Sequence, residues 1–118
     1  MKSQNRVIRQ YEIMQITTPG AARLICLLHE KAVYFIKKGM IINSTQMISK
    51  AQNLIAVLDM SLRDVDEVSS LLHNLYSYSY HLLDKKDRAS LKNACLIMNH
   101  LKVTFCTLSR HTAGSDRL

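Results

Sequence analysis

The chain has 118 residues, of which 47% are hydrophobic, and this is enough to bury one core without a disulfide or a metal ion. It contains only 3 glycines and 1 proline, so the composition favours helix over sheet. The net charge of +7 is spread along the chain rather than gathered in one arm, which argues against a dedicated nucleic-acid-binding protein. The composition therefore predicts a single all-α domain.

The cysteines and the N-terminus predict a cellular compartment. Cys26, Cys95 and Cys106 form no CxxC pair, and each lies in an apolar-periodic stretch. We expect them to be reduced and to act as small hydrophobic residues. Residues 1–10 have no apolar core, and no apolar run approaches the roughly 20 residues that span a bilayer. The sequence thus predicts a cytoplasmic protein with neither an export signal nor a membrane anchor.

Residues 1–17 are predicted to form an N-terminal strap. They include several apolar side chains but precede the first strong helix start. Either a short extra helix or an extended segment laid across the rest of the chain would satisfy this pattern. Burial against the chain's own domain is favoured over free exposure.

Four long helices are predicted within residues 18–110. The first begins at Thr18-Pro19, where an oxygen-bearing cap precedes a proline whose missing N–H costs nothing. It is expected to end at Gly39, because glycine is a natural helix stop. Its apolar stripe consists of Leu24, Leu27, Leu28, Phe35 and Ile36.

Polar residues mark the starts of the next three helices. Ser44 or Thr45 would cap the second helix, and Asp64 with Glu67 resembles a capping box for the third. Asp87 is the expected cap of the fourth helix, whose apolar positions step by three and four residues. Those positions are Leu91, Ala94, Met98, Leu101, Phe105 and Leu108.

The connections between these helices are short, about two to six residues, and such links force neighbouring helices to run antiparallel. The predicted architecture is therefore an all-α, up-down-up-down four-helix bundle over residues 18–110, with the strap of residues 1–17 beside it. Residues 111–118 are expected to be a flexible tail.

Catalytic motifs are missing from the sequence. None of the 5 histidines follows a glutamate at the spacing of a bundle di-iron site, so no metal is predicted and the histidines are expected to be exposed or half-buried. A nucleophile pair would need Cys26 and His29 to meet, and core packing of the cysteine is favoured instead. Glycine-rich phosphate loops, GxSxG and HExxH do not occur. The chain is predicted to be no enzyme and to need no cofactor.

A cluster of tyrosines is the most distinctive local feature. Tyr76, Tyr78 and Tyr80 lie in one predicted helix, and at about 100° per residue Tyr78 points nearly opposite to the other two. Tyrosine combines an apolar ring with a hydroxyl that can stay hydrated, which suits a protein-binding surface. Packing at the edge of a bundle would also place such residues, so their chemistry alone leaves both interpretations open.

Four segments carry a resemblance to a known protein family. Residues 75–83 read LYSYSYHLL, and residues 50–62 read KAQNLIAVLDMSL. Residues 8–11 read IRQY, and residues 24–36 form a helix-like stretch with HEK at 29–31. These segments are similar, in order, to the LYDYMxRRL, KAQxIIxEL...SL, IxxY and LxxMLYDGAxxFL segments of the FliS family of flagellin export chaperones.

The resemblance implies a cytoplasmic chaperone that binds the disordered C-terminal segment of flagellin and prevents its premature polymerisation. It also implies delivery of flagellin to the flagellar type III export gate. The client would form helices as its apolar faces enter grooves on the bundle. The implied partner-binding residues are Ile8, Tyr11, Met60, Tyr76, Tyr78 and Tyr80, the first two of them in the strap.

Two other functions are weighed against this one. A basic helical module could bind nucleic acid, but no helix concentrates Arg and Lys on one stripe, so no nucleic-acid partner is predicted. A FliS-like bundle could instead be repurposed as a regulatory or self-associating protein-interaction module, which the unusual residues 29–31 suggest. The chain is expected to be a monomer or a weak homodimer.

Overall fold

The computed structural model describes residues 19–62 and 67–116, with side chains for 22–62 and 67–111. These residues form four helices and no strand: α1 Pro19–Ile42, α2 Thr45–Met60, α3 Glu67–Lys85 and α4 Arg88–Asp116. Each helix packs against the next along the chain, and α4 packs against α1 to close the ring. The predicted all-α, up-down-up-down bundle is confirmed, while the predicted strap of residues 1–17 lies outside the described residues.

The turn between α1 and α2 corrects one predicted boundary. Helix α1 does not stop at Gly39 but continues to Ile42. The stop is Asn43, which takes the left-handed conformation with φ 53°, and the Ser44 N–H then donates to the Gly39 carbonyl at 3.0 Å. The Ser44 hydroxyl accepts a hydrogen bond from the Met47 N–H at 3.2 Å, which confirms Ser44 as the cap of α2.

Gly39 has a different role from the predicted one. A Cβ atom at this position would lie 2.6 Å from Ile48 Cδ1 and 2.9 Å from Ile48 Cγ1. Glycine therefore allows α1 and α2 to approach each other closely beside their turn. The glycine at position 39 is therefore explained by the close packing of two helices and not by the end of a helix.

The turn between α3 and α4 follows the sequence prediction. Lys86 takes a positive φ of 62°, and Asp87 then caps α4. The Asp87 carboxylate accepts hydrogen bonds from the Ser90 N–H and the Ser90 hydroxyl, both at 2.8 Å. These hydrogen bonds favour the charged form and lower the pKa of Asp87. The other predicted cap, Asp64, lies outside the described residues.

The core lies along the axis of the bundle and receives side chains from all four helices. Its largest fully buried side chains include Ile36, Ile55, Leu58, Tyr76, Leu83, Met98 and Phe105. Helix α4 continues past Arg110 to Asp116, so residues 111–116, predicted as part of a flexible tail, have helical backbone. Across residues 19–62 and 67–116, no helix has the length and apolar character that crossing a bilayer requires.

Candidate partner-binding surface

Tyr78 and Met60 are the predicted contact residues that lie at the surface. Tyr78 is 56% exposed on α3, and Met60 is 82% exposed at the last position of α2. A tyrosine with a hydrated hydroxyl and a flexible methionine both suit adaptable contacts with another protein. Ile8 and Tyr11, the other two predicted contacts at the N-terminus, lie outside the described residues.

Tyr76 belongs to the core and not to the surface that the sequence predicted. Its side chain is only 2% exposed, and its hydroxyl lies 2.8 Å from His29 Nε2. Two residues further along α3, Tyr78 faces the opposite side of the helix, as the spacing of about 100° per residue predicted. The tyrosine cluster is thus divided between packing and exposure.

Tyr80 is half-buried at the junction of α2 and α3. Its carbonyl accepts a hydrogen bond from Gln52 Nε2 at 3.2 Å, and the same amide donates to Asp84 Oδ1 at 2.7 Å. A second polar link between these helices joins Asp59 Oδ1 and His73 Nδ1 at 2.7 Å. Both links join α2 to α3, and these two helices form the frame from which Met60 and Tyr78 project.

His29 is fully buried, whereas the sequence predicted an exposed or half-buried residue. Its Nδ1 lies 2.8 Å from the Ile25 carbonyl, which can only accept, so Nδ1–H donates and Nε2 accepts from the Tyr76 hydroxyl. The ring stacks on Phe105 with centroids 4.7 Å apart. Burial lowers the pKa of His29 from 6.5 to about 4, and the hydrogen bond to Ile25 opposes this only in part.

A signal for this buried histidine was present in the sequence. His29 continues the spacing of Ala22, Ile25, Ala32 and Ile36, all of which are buried on the same face of α1. Histidine as a residue type favoured a surface location, whereas the spacing of position 29 favoured the buried face of α1. Position prevailed because two hydrogen-bond partners satisfy both ring nitrogens.

Cys26 and Cys106 form a disulfide between α1 and α4, which corrects the prediction that all cysteines are reduced. They are 80 residues apart in sequence, with Cα atoms 4.7 Å apart. Cys95 is the free cysteine and is half-buried. Burial raises the pKa of its thiol, although the charges of Lys37 and Lys102 act in the opposite direction.

The predicted alternative of a Cys26–His29 nucleophile pair does not form among these residues. The Cys26 sulfur is bonded to Cys106, and both ring nitrogens of His29 are engaged elsewhere. A carboxylate oxygen of Glu30 lies within 4.8 Å of both sulfur atoms. Because metal ligands are thiolates, however, sulfurs that are bonded to each other do not make this group a metal site.

A helical bundle with outward tyrosine and methionine side chains, and with apolar residues exposed on each helix, has the features of a protein-interaction module. A family model described as flagellar protein FliS matches residues 3–111. The chain therefore belongs to the FliS family, a family of flagellar export chaperones. Searches among curated proteins and among solved structures gave no match.

Proposed function

We propose that this chain is a cytoplasmic chaperone that binds the disordered C-terminal region of flagellin. It keeps flagellin from polymerising prematurely and delivers it to the flagellar type III export apparatus, without catalysing a reaction. Family membership supports the general role. The observation that supports the client surface is the exposure of Tyr78, which lies within the tyrosine motif but is directed away from the core.

The proposed mechanism couples folding of the client to binding. A disordered segment loses conformational entropy when it forms helices against the bundle, and this cost keeps the complex reversible enough for release into export. The polar links that Gln52 and Asp59 make to α3 hold the receiving frame in place before the client arrives. A preformed frame lowers the entropy lost on binding, because only the client has to become ordered.

The tyrosine motif serves this mechanism in two ways. Tyr76 packs in the core with Leu72 and Leu83 and is hydrogen-bonded to His29, and together these contacts set the rotation of α3 about its axis. That rotation directs Tyr78 outward, where its ring is free to contact the client. Tyr80 supports the same frame at the junction with α2.

The N-terminal residues complete the proposal. Ile8 and Tyr11 are proposed to belong to a strap that covers one groove of the bundle, as the resemblance implies. The free chaperone is proposed to be a monomer or a weak homodimer. The export gate is proposed to receive the chaperone together with its client.

Isothermal titration with the C-terminal segment of a flagellin from the same genome tests the client. We expect a complex with one client per chain and a negative heat-capacity change, because apolar surface is buried. Tyr78→Ala should weaken binding by about tenfold or more if Tyr78 is a central contact. Tyr34→Ala is the matched control, since Tyr34 is also 56% exposed but lies on α1.

The outcomes separate the proposal from its alternative. A folded protein that releases no heat with the flagellin segment would exclude flagellin as the client. If Tyr78→Ala and Tyr34→Ala weakened binding of the flagellin segment equally, the assignment of the binding surface to Tyr78 would be wrong. Flagellin would remain the client. Self-association in sedimentation experiments, unchanged by flagellin, would favour the repurposed interaction module.

A further inference from the structure

Two apolar stripes lie side by side on the outer surface of α1 and α4. The stripe on α1 consists of Leu27, Tyr34 and Ile41, and the stripe on α4 consists of Leu96 and Val103. All five side chains are at least 40% exposed among the described residues. Within each stripe the residues recur every seven positions, a spacing that returns to nearly the same direction on a helix.

The disulfide defines how the two stripes are aligned. Cys26 and Cys106 mark the sides of α1 and α4 that face each other, and the two helices run antiparallel. On each helix the stripe lies roughly 60–100° further round from the cysteine, on the side away from the core. The stripes therefore flank the outer groove between α1 and α4, which we call the α1/α4 face.

Measured from the disulfide along the bundle axis, the residues of the two stripes lie at matching heights. Leu27 and Val103 lie within about 3 Å of the same height along the bundle, and so do Tyr34 and Leu96. The next level is about 10 Å further on, one heptad away. A third helix with heptad-spaced apolar residues would add one side chain to each level, as in helical bundles and coiled coils.

Positive charge surrounds the α1/α4 face. Among the described side chains of α1 and α4, eight are Lys or Arg and only Glu30 is acidic. The exposed basic residues on the same side as the stripes include Arg23, Lys31, Lys37, Lys38, Lys92 and Arg110. Glu30 lies between them, over the disulfide, with a carboxylate oxygen within 4.8 Å of both sulfur atoms. Two copies of this face would repel each other, whereas an acidic partner would be attracted and oriented.

We propose that the α1/α4 face is a docking surface for an acidic amphipathic helix of another protein. The apolar residues of that helix would fill the groove at heptad spacing, and its carboxylates would meet the basic residues beside the stripes. This surface is separate from the one around Tyr78 on α3, so the inference goes beyond the proposed binding of flagellin.

Two designed peptides test the charge preference. Each spans about three heptads with leucine at the apolar positions, and the flanking positions hold glutamate in one peptide and lysine in the other. Fluorescence anisotropy with the full chain should show binding of the acidic peptide that weakens with added salt. The basic peptide should bind at least about tenfold more weakly. Equal affinity for both peptides, or binding of neither, would overturn the proposal.

A matched pair of variants tests the location. Val103→Glu should weaken binding of the acidic peptide by about tenfold or more, because the substitution places a like charge in the groove. Val57→Glu is the control, since Val57 is exposed to 50% against 53% for Val103 but lies on α2, which does not adjoin α4 in the ring. Similar weakening by both variants would contradict the assignment. Tyr78→Ala should leave peptide binding unchanged, which separates this test from that of the flagellin client.

Three further results would assign the face to another occupant and overturn the proposal. A dimer of the wild-type chain that Val103→Glu dissociates would show a second copy there. A fall in the melting temperature of monomeric Val103→Glu as large as that of a core substitution would show that the chain covers the face itself. Displacement of the acidic peptide by the C-terminal flagellin segment would make the face part of the client site.

Discussion

The Tyr76 hydroxyl and His29 Nε2 meet at 2.8 Å in the middle of the bundle and join α1 to α3. Neither helix packs mainly against the other, because each lies between α2 and α4 in the ring. This hydrogen bond therefore crosses the core. It removes Tyr76 from the surface and gives the buried histidine its second partner.

Tyr76→Phe should destabilise the protein through this pair. The substitution keeps the ring but leaves His29 Nε2 buried without its donor, which costs about 1–3 kcal/mol of unfolding free energy. Urea denaturation at neutral pH measures the change. Tyr78→Phe is the matched control, and its exposed position predicts a change within about 0.5 kcal/mol. Equal effects of the two substitutions would contradict the role assigned to the buried hydroxyl.

The stability should depend on pH through His29. Its pKa falls from 6.5 in the unfolded chain to about 4 in the folded protein, so the unfolded state binds more protons between these values. The contribution of neutral His29 to the free energy of unfolding is fully present above pH 6.5. It is lost as the pH falls towards 4, by about 3 kcal/mol in total. Denaturation curves across this window should therefore show a falling unfolding free energy.

His29→Leu isolates that contribution from the carboxylates, which also titrate at low pH. The variant should be less stable at neutral pH, because the hydrogen bond between the Tyr76 hydroxyl and His29 is lost. It should also lose stability less steeply than the wild type between pH 6.5 and 4. If the unfolding free energies of His29→Leu and of the wild type fell with the same slope between pH 6.5 and 4, His29 would not be the titrating group.

Gly39→Ala should destabilise the bundle even though alanine is the better helix former. Helix propensity alone predicts a gain of about 1 kcal/mol. The added Cβ would meet Ile48 Cδ1 at 2.6 Å, and Ile48 is itself buried, so overpacking of about 1–3 kcal/mol should outweigh the gain. Thermal denaturation measures the sign of the change.

Ile48→Val removes the Cδ1 atom and supplies the control. In that background Gly39→Ala should cost less than it does in the wild type, which a double-mutant cycle detects as coupling. Additive effects of the two substitutions would show that the close approach of α1 and α2 does not determine the residue at position 39.

The Cys26–Cys106 disulfide should contribute to stability when it is formed. It links positions 80 residues apart, and a loop of that length restricts the unfolded chain by about 4 kcal/mol. Reductant should lower the denaturation midpoint of the wild type and of Cys95→Ser alike, but not that of Cys106→Ser. Cytoplasmic proteins seldom keep disulfide bonds. The number of thiols that can be alkylated in freshly isolated protein should therefore be measured before the denaturation experiments. Three alkylated thiols per wild-type chain would show that the pair is reduced at isolation.

The tyrosine motif shows how far local spacing reaches. The spacing of Tyr76 and Tyr78 predicted that they face opposite ways, and their exposed fractions of 2% and 56% agree with this. The spacing also places Tyr76 on the face of Leu72, Ser79 and Leu83, all of which are buried. Spacing could not supply the partner of the buried hydroxyl, which is His29, 47 residues away in sequence.

The sequence by itself determined the helices, two of their caps and the family. Apolar periodicity and capping depend on residues within one or two turns of each other, so Ser44, Asp87 and the apolar face of α4 were readable directly. Only the tertiary structure decided the Cys26–Cys106 disulfide, the hydrogen bond between His29 and Tyr76, and the packing role of Gly39. Each of these depends on which helices become neighbours and at what height they meet. Local patterns carry little information about such contacts, because the partners lie on different helices.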